Sequence, residues 1–183
     1  MKSNNLLDEV YKVLSQDNSK LADVWLAEIV FSWRWWVLVG LSIIPWIIWI
    51  KIRNKNDTAK LLFIGLVAAI ISNTLDTIGV TYNLWHYDWK VFPFIPMYMP
   101  WDFTLMPVST MLMLQFKPNI NKYIKGIIFS LVAAFIFEPL FSWSHMYHTV
   151  VWKYWYSFII NIPLYLFYSH LYKSKLWQNQ SNL

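Results

Sequence analysis

"LLFIGLVAAIISNTLDTIGVTY", residues 61–82, decides how the rest of the chain is read. A helix needs about 20 mainly apolar residues to cross a bilayer, and this run is long enough. Its second half nevertheless carries Asn73 and Asp76. Ionisable groups inside such a segment are costly and usually face a bundle interior or a water-filled cavity. The stretch therefore predicts a spanning helix with a polar anchor in one half.

Four further segments qualify on either side of it: 34–50 ("RWWVLVGLSIIPWIIWI"), 98–116 ("YMPWDFTLMPVSTMLMLQF"), 124–143 ("IKGIIFSLVAAFIFEPLFSW") and 154–172 ("YWYSFIINIPLYLFYSHLY"). Composition agrees with this reading. Of 183 residues 57% are hydrophobic, 20% aromatic and only 14% charged, where soluble domains carry roughly 25% charge. Mean hydropathy is +0.37. The predicted fold is all-α, an integral membrane bundle of five transmembrane helices. Residues 1–32 form an amphipathic or interfacial N-terminal segment, 33–175 the transmembrane domain and 176–183 a cytoplasmic tail.

Charge sets the orientation. Lys51, Arg53, Lys55 and Lys60 lie between the first two segments, Lys117, Lys122 and Lys125 between the third and fourth, and Lys173 and Lys175 after the fifth. The other two connections hold only Lys90 and Lys153. The positive-inside rule then places a multi-pass protein in the cell membrane with its N-terminus outside and its C-terminus cytoplasmic. The +5 net charge is a topology signal, so no nucleic-acid partner is expected, and the lipid bilayer is the first partner. No cleavable signal peptide is visible at the N-terminus. Leu6, Leu7, Val10, Tyr11 and Leu14 recur at helical spacing and predict an amphipathic helix over 5–14. A second short helix is expected through "LADVWLAEIVF".

The polar anchors of four segments share a depth. Counted from the Lys-marked ends, Asp76, Asp102, Glu138 and Asn161 all fall about 18–24 Å from the inner boundary of a roughly 30 Å core. Of the 13 Trp, all but Trp46, Trp49 and Trp177 fall at or outside that level. An interfacial belt would populate both sides. Glu138, Ser142 and His145 recur at i, i+4 and i+7 and predict a polar stripe. Pro100, Pro107, Pro139 and Pro163 flank the anchors, and each frees the carbonyl four residues earlier. Together these features predict an outward-facing pocket of Asp76, Asp102, Glu138, Asn73, Asn161, Trp85, Tyr87, Trp101 and His145. Residues 84–98, too short and proline-broken to span, are expected to cover it as a loop or re-entrant lid.

Several chemistries are excluded or unsupported. There is no Cys, so thiolate sites and disulfides are out. No G-x-G-x-x-G, P-loop, G-x-S-x-G or H-E-x-x-H pattern occurs, and four Gly leave little for a phosphate cradle. His86, His145 and His148 read as interfacial loop residues rather than metal ligands, and no cofactor is implied.

Asp76, Gly79, Trp85, Tyr87 and then Pro100-Trp101-Asp102-Phe103 resemble the membrane-embedded lycopene cyclase family, with its Trp-x-Tyr loop element and Pro-x-Glu-Glu motif. The resemblance spans about 30 residues. It implies acids that protonate an isoprenoid chain to trigger ring closure, with Asp102 at the first acid position. Phe103 stands where that family has its second acid. The whole chain, with its "WHYDWKVFPF" loop, also resembles small polytopic membrane proteins of spore-forming Gram-positive bacteria. Three functions fit these readings. One is a pocket that binds or carries a cation, a proton or an amphipathic small molecule. Another is an acid-catalysed isoprenoid or lipid enzyme. The last is a structural membrane subunit whose polar layer only fixes helix packing.

Overall fold

A computed structural model describes residues 2–93, 97–174 and 177. The middle of the expected lid (94–96) and nearly all of the C-terminal tail lie outside the described residues. The described chain is helical apart from one two-residue strand pair. Helix α1 (Lys2–Val24) continues into a π-turn, Trp25–Ile29, as one rod instead of the two short helices expected. No Gly or Pro interrupts residues 5–31, so nothing breaks the ladder. Helix α2 (Trp33–Ile52) begins where Ser32 Oγ accepts the Trp35 amide at 3.3 Å, the usual service of an N-cap serine.

Helix α3 (Thr58–Thr81) ends at Asn83, where a positive φ of 52° turns the chain into strand β1 (Trp85–His86). A π-turn, Trp101–Leu105, leads into α4 (Met106–Gln115). Helix α5 (Lys122–Val132), capped by Asn121 Oδ1 on the Tyr123 amide, passes through a second π-turn, Ala133–Phe137, into α6 (Glu138–Trp143). Strand β2 (His148–Thr149) precedes α7 (Tyr154–Tyr172).

Three of these rods, Trp33–Ile52, Lys55–Thr81 and Lys122–Trp143, are long and apolar enough to cross a membrane. Their outward faces support that use. Ile43, Ile47, Leu62, Leu66, Ile127 and Leu131 are all exposed, and a water-soluble monomer rarely shows so continuous an apolar surface.

The Lys-marked helix ends meet at one end of the molecule. Gln115 Nε2 donates to Ile52 O, Tyr172 Oη donates to Asp57 Oδ2, and the Lys60 ammonium lies 3.8 Å from the Tyr172 ring centre. Lys125 Nζ donates to the carbonyls of Met113 at 2.7 Å and Phe116 at 2.5 Å, placing a cation on the negative end of α4. Above this end the core is apolar and tight. Leu61, Ile64, Gly65 and Ala68 of α3 face Met111 and Leu114 of α4, with Phe129 and Tyr165 from α5 and α7. A Cβ on Gly65 would lie 2.8 Å from Met111 Sδ, so a residue without one sets how closely α3 and α4 approach.

Candidate functional site

The same face of α3 turns polar one turn further on. Ser72, Asp76 and Gly79 continue the buried row begun by Gly65, Ala68 and Ala69. Opposite them the Trp101–Leu105 turn brings Asp102, fully buried, towards α3. Burial of a carboxyl is tolerated where hydrogen bonds replace water. Both acids have them. Asp76 Oδ1 accepts Trp85 Nε1 at 2.7 Å and Tyr87 Oη at 2.5 Å. Asp102 Oδ1 accepts Ser72 Oγ at 2.5 Å. The Tyr98 amide forks between the remaining oxygens, 2.8 Å from Asp76 Oδ2 and 3.0 Å from Asp102 Oδ2. Asp102 N makes the helical bond to Tyr98 O at 2.9 Å while its side chain accepts the Tyr98 amide, so the acid also caps the start of its own helix. The shared Tyr98 amide brings the two carboxyl groups side by side.

Rings lock this pair from above. Tyr87 stacks on Tyr98 with centroids 4.2 Å apart and planes 4° apart. Burial first, and then the nearby Asp76, push the Tyr87 phenol well above its ordinary titration range, so it stays a donor. Burial and then Glu138 do the same for Tyr147. The Trp85 indole sits where a Cβ on Gly79 would be, which explains the glycine at that position. Strands β1 and β2 pair antiparallel, Trp85 with Thr149 and His86 with His148. Leu84 O collects the amides of Val150, Val151 and Trp152. The expected loop over the site is thus tied to a second loop, and Trp85 meets Trp152 edge to face at 4.8 Å.

Beneath that cover lies a cavity of about 180 Å³. Asp76, Asp102, Glu138, Asn161, Trp85, Tyr87 and Trp101 all line it. Ser72, Tyr98, Phe141, Tyr147, Trp152 and Ser157 join them, and Met106, Leu164 and Tyr168 line its inner reaches. No described Lys, Arg or His contributes to the wall. Glu138 differs from the aspartates. Its Oε2 is buried with no partner, and Ser157 lines the same cavity. The Ser157 hydroxyl also accepts Trp152 Nε1 at 2.8 Å.

Two of the residues singled out from sequence do not line the cavity. Asn73 is one position round the helix from Ser72, off the inward row, and only half-buried. His145 lies beyond the end of α6: the helix stops at Trp143, His145 takes a positive φ of 58°, and its side chain is exposed. The i, i+7 stripe required a helix that does not continue that far. Sequence reasoning passed over Ser72 and Ser157, although Ser72 is one helical turn before Asp76. It also missed the cover residues Tyr147 and Trp152, whose part depends on a strand pairing too short to read.

Pro107 lacks the N–H that would reach Phe103 O, and Trp46 Nε1 takes that carbonyl at 2.9 Å. Thr104 Oγ1 donates to Ser42 O at 2.9 Å, a second tie between this turn and α2. The carbonyl that Pro107 frees is satisfied by a neighbouring side chain instead of by a wet pocket. Among the described residues no group of three or more potential ligands is arranged to hold a metal. Comparison with protein-family models, curated proteins and solved structures found no match to this chain.

Proposed function

We propose that this is a polytopic membrane protein of five spanning helices, N-terminus outside and C-terminus cytoplasmic, whose outward-half pocket binds an organic cation. The meeting of the Lys-bearing helix ends at one end of the molecule, with Lys90 and Lys153 at the other, supports the topology. One observation carries the binding reading. Three carboxyl groups line a single cavity to which no described basic residue contributes, and one of them has a buried oxygen without a partner. An unpaired buried acceptor is costly, and a cation or a proton relieves it. The ring faces of Trp85, Trp101 and Trp152 suit an ammonium group, which aromatic faces attract by about 0.5–2 kcal/mol each.

Calorimetric titration of the purified protein with a hydrophobic amine tests this reading. Glu138→Gln is expected to weaken saturable binding by about tenfold or more while thermal melting is unchanged; unaltered binding removes the pocket from the account. The topology has its own test. The chain has no native Cys, so single cysteines at Asn83 and Asn119 are expected to react with an impermeant reagent from outside and from inside respectively.

A second reading draws on the two buried acids, Asp76 and Asp102, that stand side by side at the cavity wall. An acid pair of that kind supplies the donor that an isoprenoid cyclase of the lycopene type requires. Altered isoprenoid products in cells carrying Asp102→Asn, relative to wild type, would favour it over simple binding.

A further inference from the structure

The wall of the cavity is uneven. Two of its lining residues, Leu75 and Ile78, are well exposed, at 38% and 48%. Both stand on the flank of α3, next to the inward row of Ser72, Asp76 and Gly79, and they continue the exposed apolar surface that includes Leu66 and Ile70. The outward end is covered by the β1–β2 pairing and the Trp85–Trp152 contact. The other direction is long, polar at Ser157 and Asn161 and mainly apolar beyond them at Leu164 and Met106. Along α7 the lining runs from Ser157 to Tyr168, about 16 Å at roughly 1.5 Å per residue.

We propose that the cavity is entered sideways from the lipid, past Leu75 and Ile78, and that its ligand is a single-chain amphiphile with an ammonium head and no phosphate. This rests on the membrane-pocket reading above and adds the route and the class of molecule. The head settles at Glu138 among the indoles, where charge and ring faces coincide. A phosphate is rejected there because it would meet three carboxyl groups and no described cation. The tail follows Leu164 and Met106 towards Tyr168, where the wall offers apolar atoms alone apart from one phenol. A water-soluble cation lacks the partition into lipid that brings a ligand to such a mouth.

The test uses the full chain in phosphatidylcholine nanodiscs and stopped-flow quenching of Trp emission by a tail-brominated dodecylammonium. Saturable binding is expected. Leu75→Trp and Ile78→Trp, each on an outward-facing surface that accepts a larger side chain, are expected to slow association by about tenfold with little change in Kd. Glu138→Gln is expected to raise Kd by about tenfold. Methylammonium and dodecylphosphocholine, as competitors, are each expected to bind at least about tenfold more weakly. If both mouth variants associate at the wild-type rate while Glu138→Gln still weakens binding, lateral entry is wrong and the acidic pocket stands. Dodecylphosphocholine competing as well as dodecylammonium overturns the choice of head group. No saturable binding by the wild-type protein overturns both this inference and the reading beneath it. Should Leu75→Trp lower the melting temperature, Ile78→Trp alone decides the route.

Discussion

The Lys-rich half of the bundle and the half around Asp76 are built on the same helices by opposite means. In the first, small residues of α3 let α4 close to contact distance, and the gaps are filled by flexible side chains such as Met111. In the second, α3 and the start of the Trp101–Gln115 rod are held together by four side-chain and main-chain donors arriving on two acids. Dispersion and close packing are non-directional and leave no room. A hydrogen-bonded acid pair fixes distance as well as contact, so walls can stand apart. A cavity next to a tightly packed core is the result.

Breaking the acid pair is the largest test of that contrast. Asp76→Ala orphans the Trp85 and Tyr87 donors and is expected to destabilise the protein by about 3–5 kcal/mol, read as a lower melting temperature in detergent. Asp76→Asn keeps an acceptor and should cost clearly less. Next, Tyr87→Phe removes one bond to a carboxyl group and is expected to cost about 1.5–3 kcal/mol. The corresponding change in the tight half, Tyr165→Phe, loses only a 3.4 Å contact to Met113 O and is expected to cost about 0.5 kcal/mol.

Two glycines sharpen the comparison further. Gly79→Ala places a methyl group where the Trp85 indole lies, and a ring held at Asp76 cannot retreat cheaply. The expected cost is about 1–3 kcal/mol, with a change in Trp emission as the indole leaves the carboxylate. Gly65→Ala meets the end of Met111, a thioether that can swing aside. That variant is expected to lose less than about 1 kcal/mol and to leave the emission unchanged. Equal costs at the two glycines would mean that the halves are not held differently.

Much of the helical layout was legible because hydropathy reports it directly. The apolar segments 34–50, 61–82, 124–143 and 154–172 fall within a few residues of the helical rods Trp33–Ile52, Thr58–Thr81, Lys122–Trp143 and Tyr154–Tyr172. The acids drew attention because a carboxyl in such a segment is rare. Finer matters were hidden for physical reasons. Which of Ser72 and Asn73 faces inward turns on a 100° rotation that no composition signal marks. The π-turns at Trp101–Leu105 and Ala133–Phe137 add a residue to a turn without any residue-type signature and shift the face of everything beyond. The β1–β2 pairing joins residues about sixty positions apart, and two-residue strands carry no periodicity.

The fork at Tyr98 has one further implication. The hydrogen that both aspartates share belongs to the main chain, so every replacement at that position except proline presents it unchanged. The ring can be exchanged and the stacking with Tyr87 lost, yet the anchor beneath survives. At position 98 only a change in the path of the polypeptide itself removes that anchor.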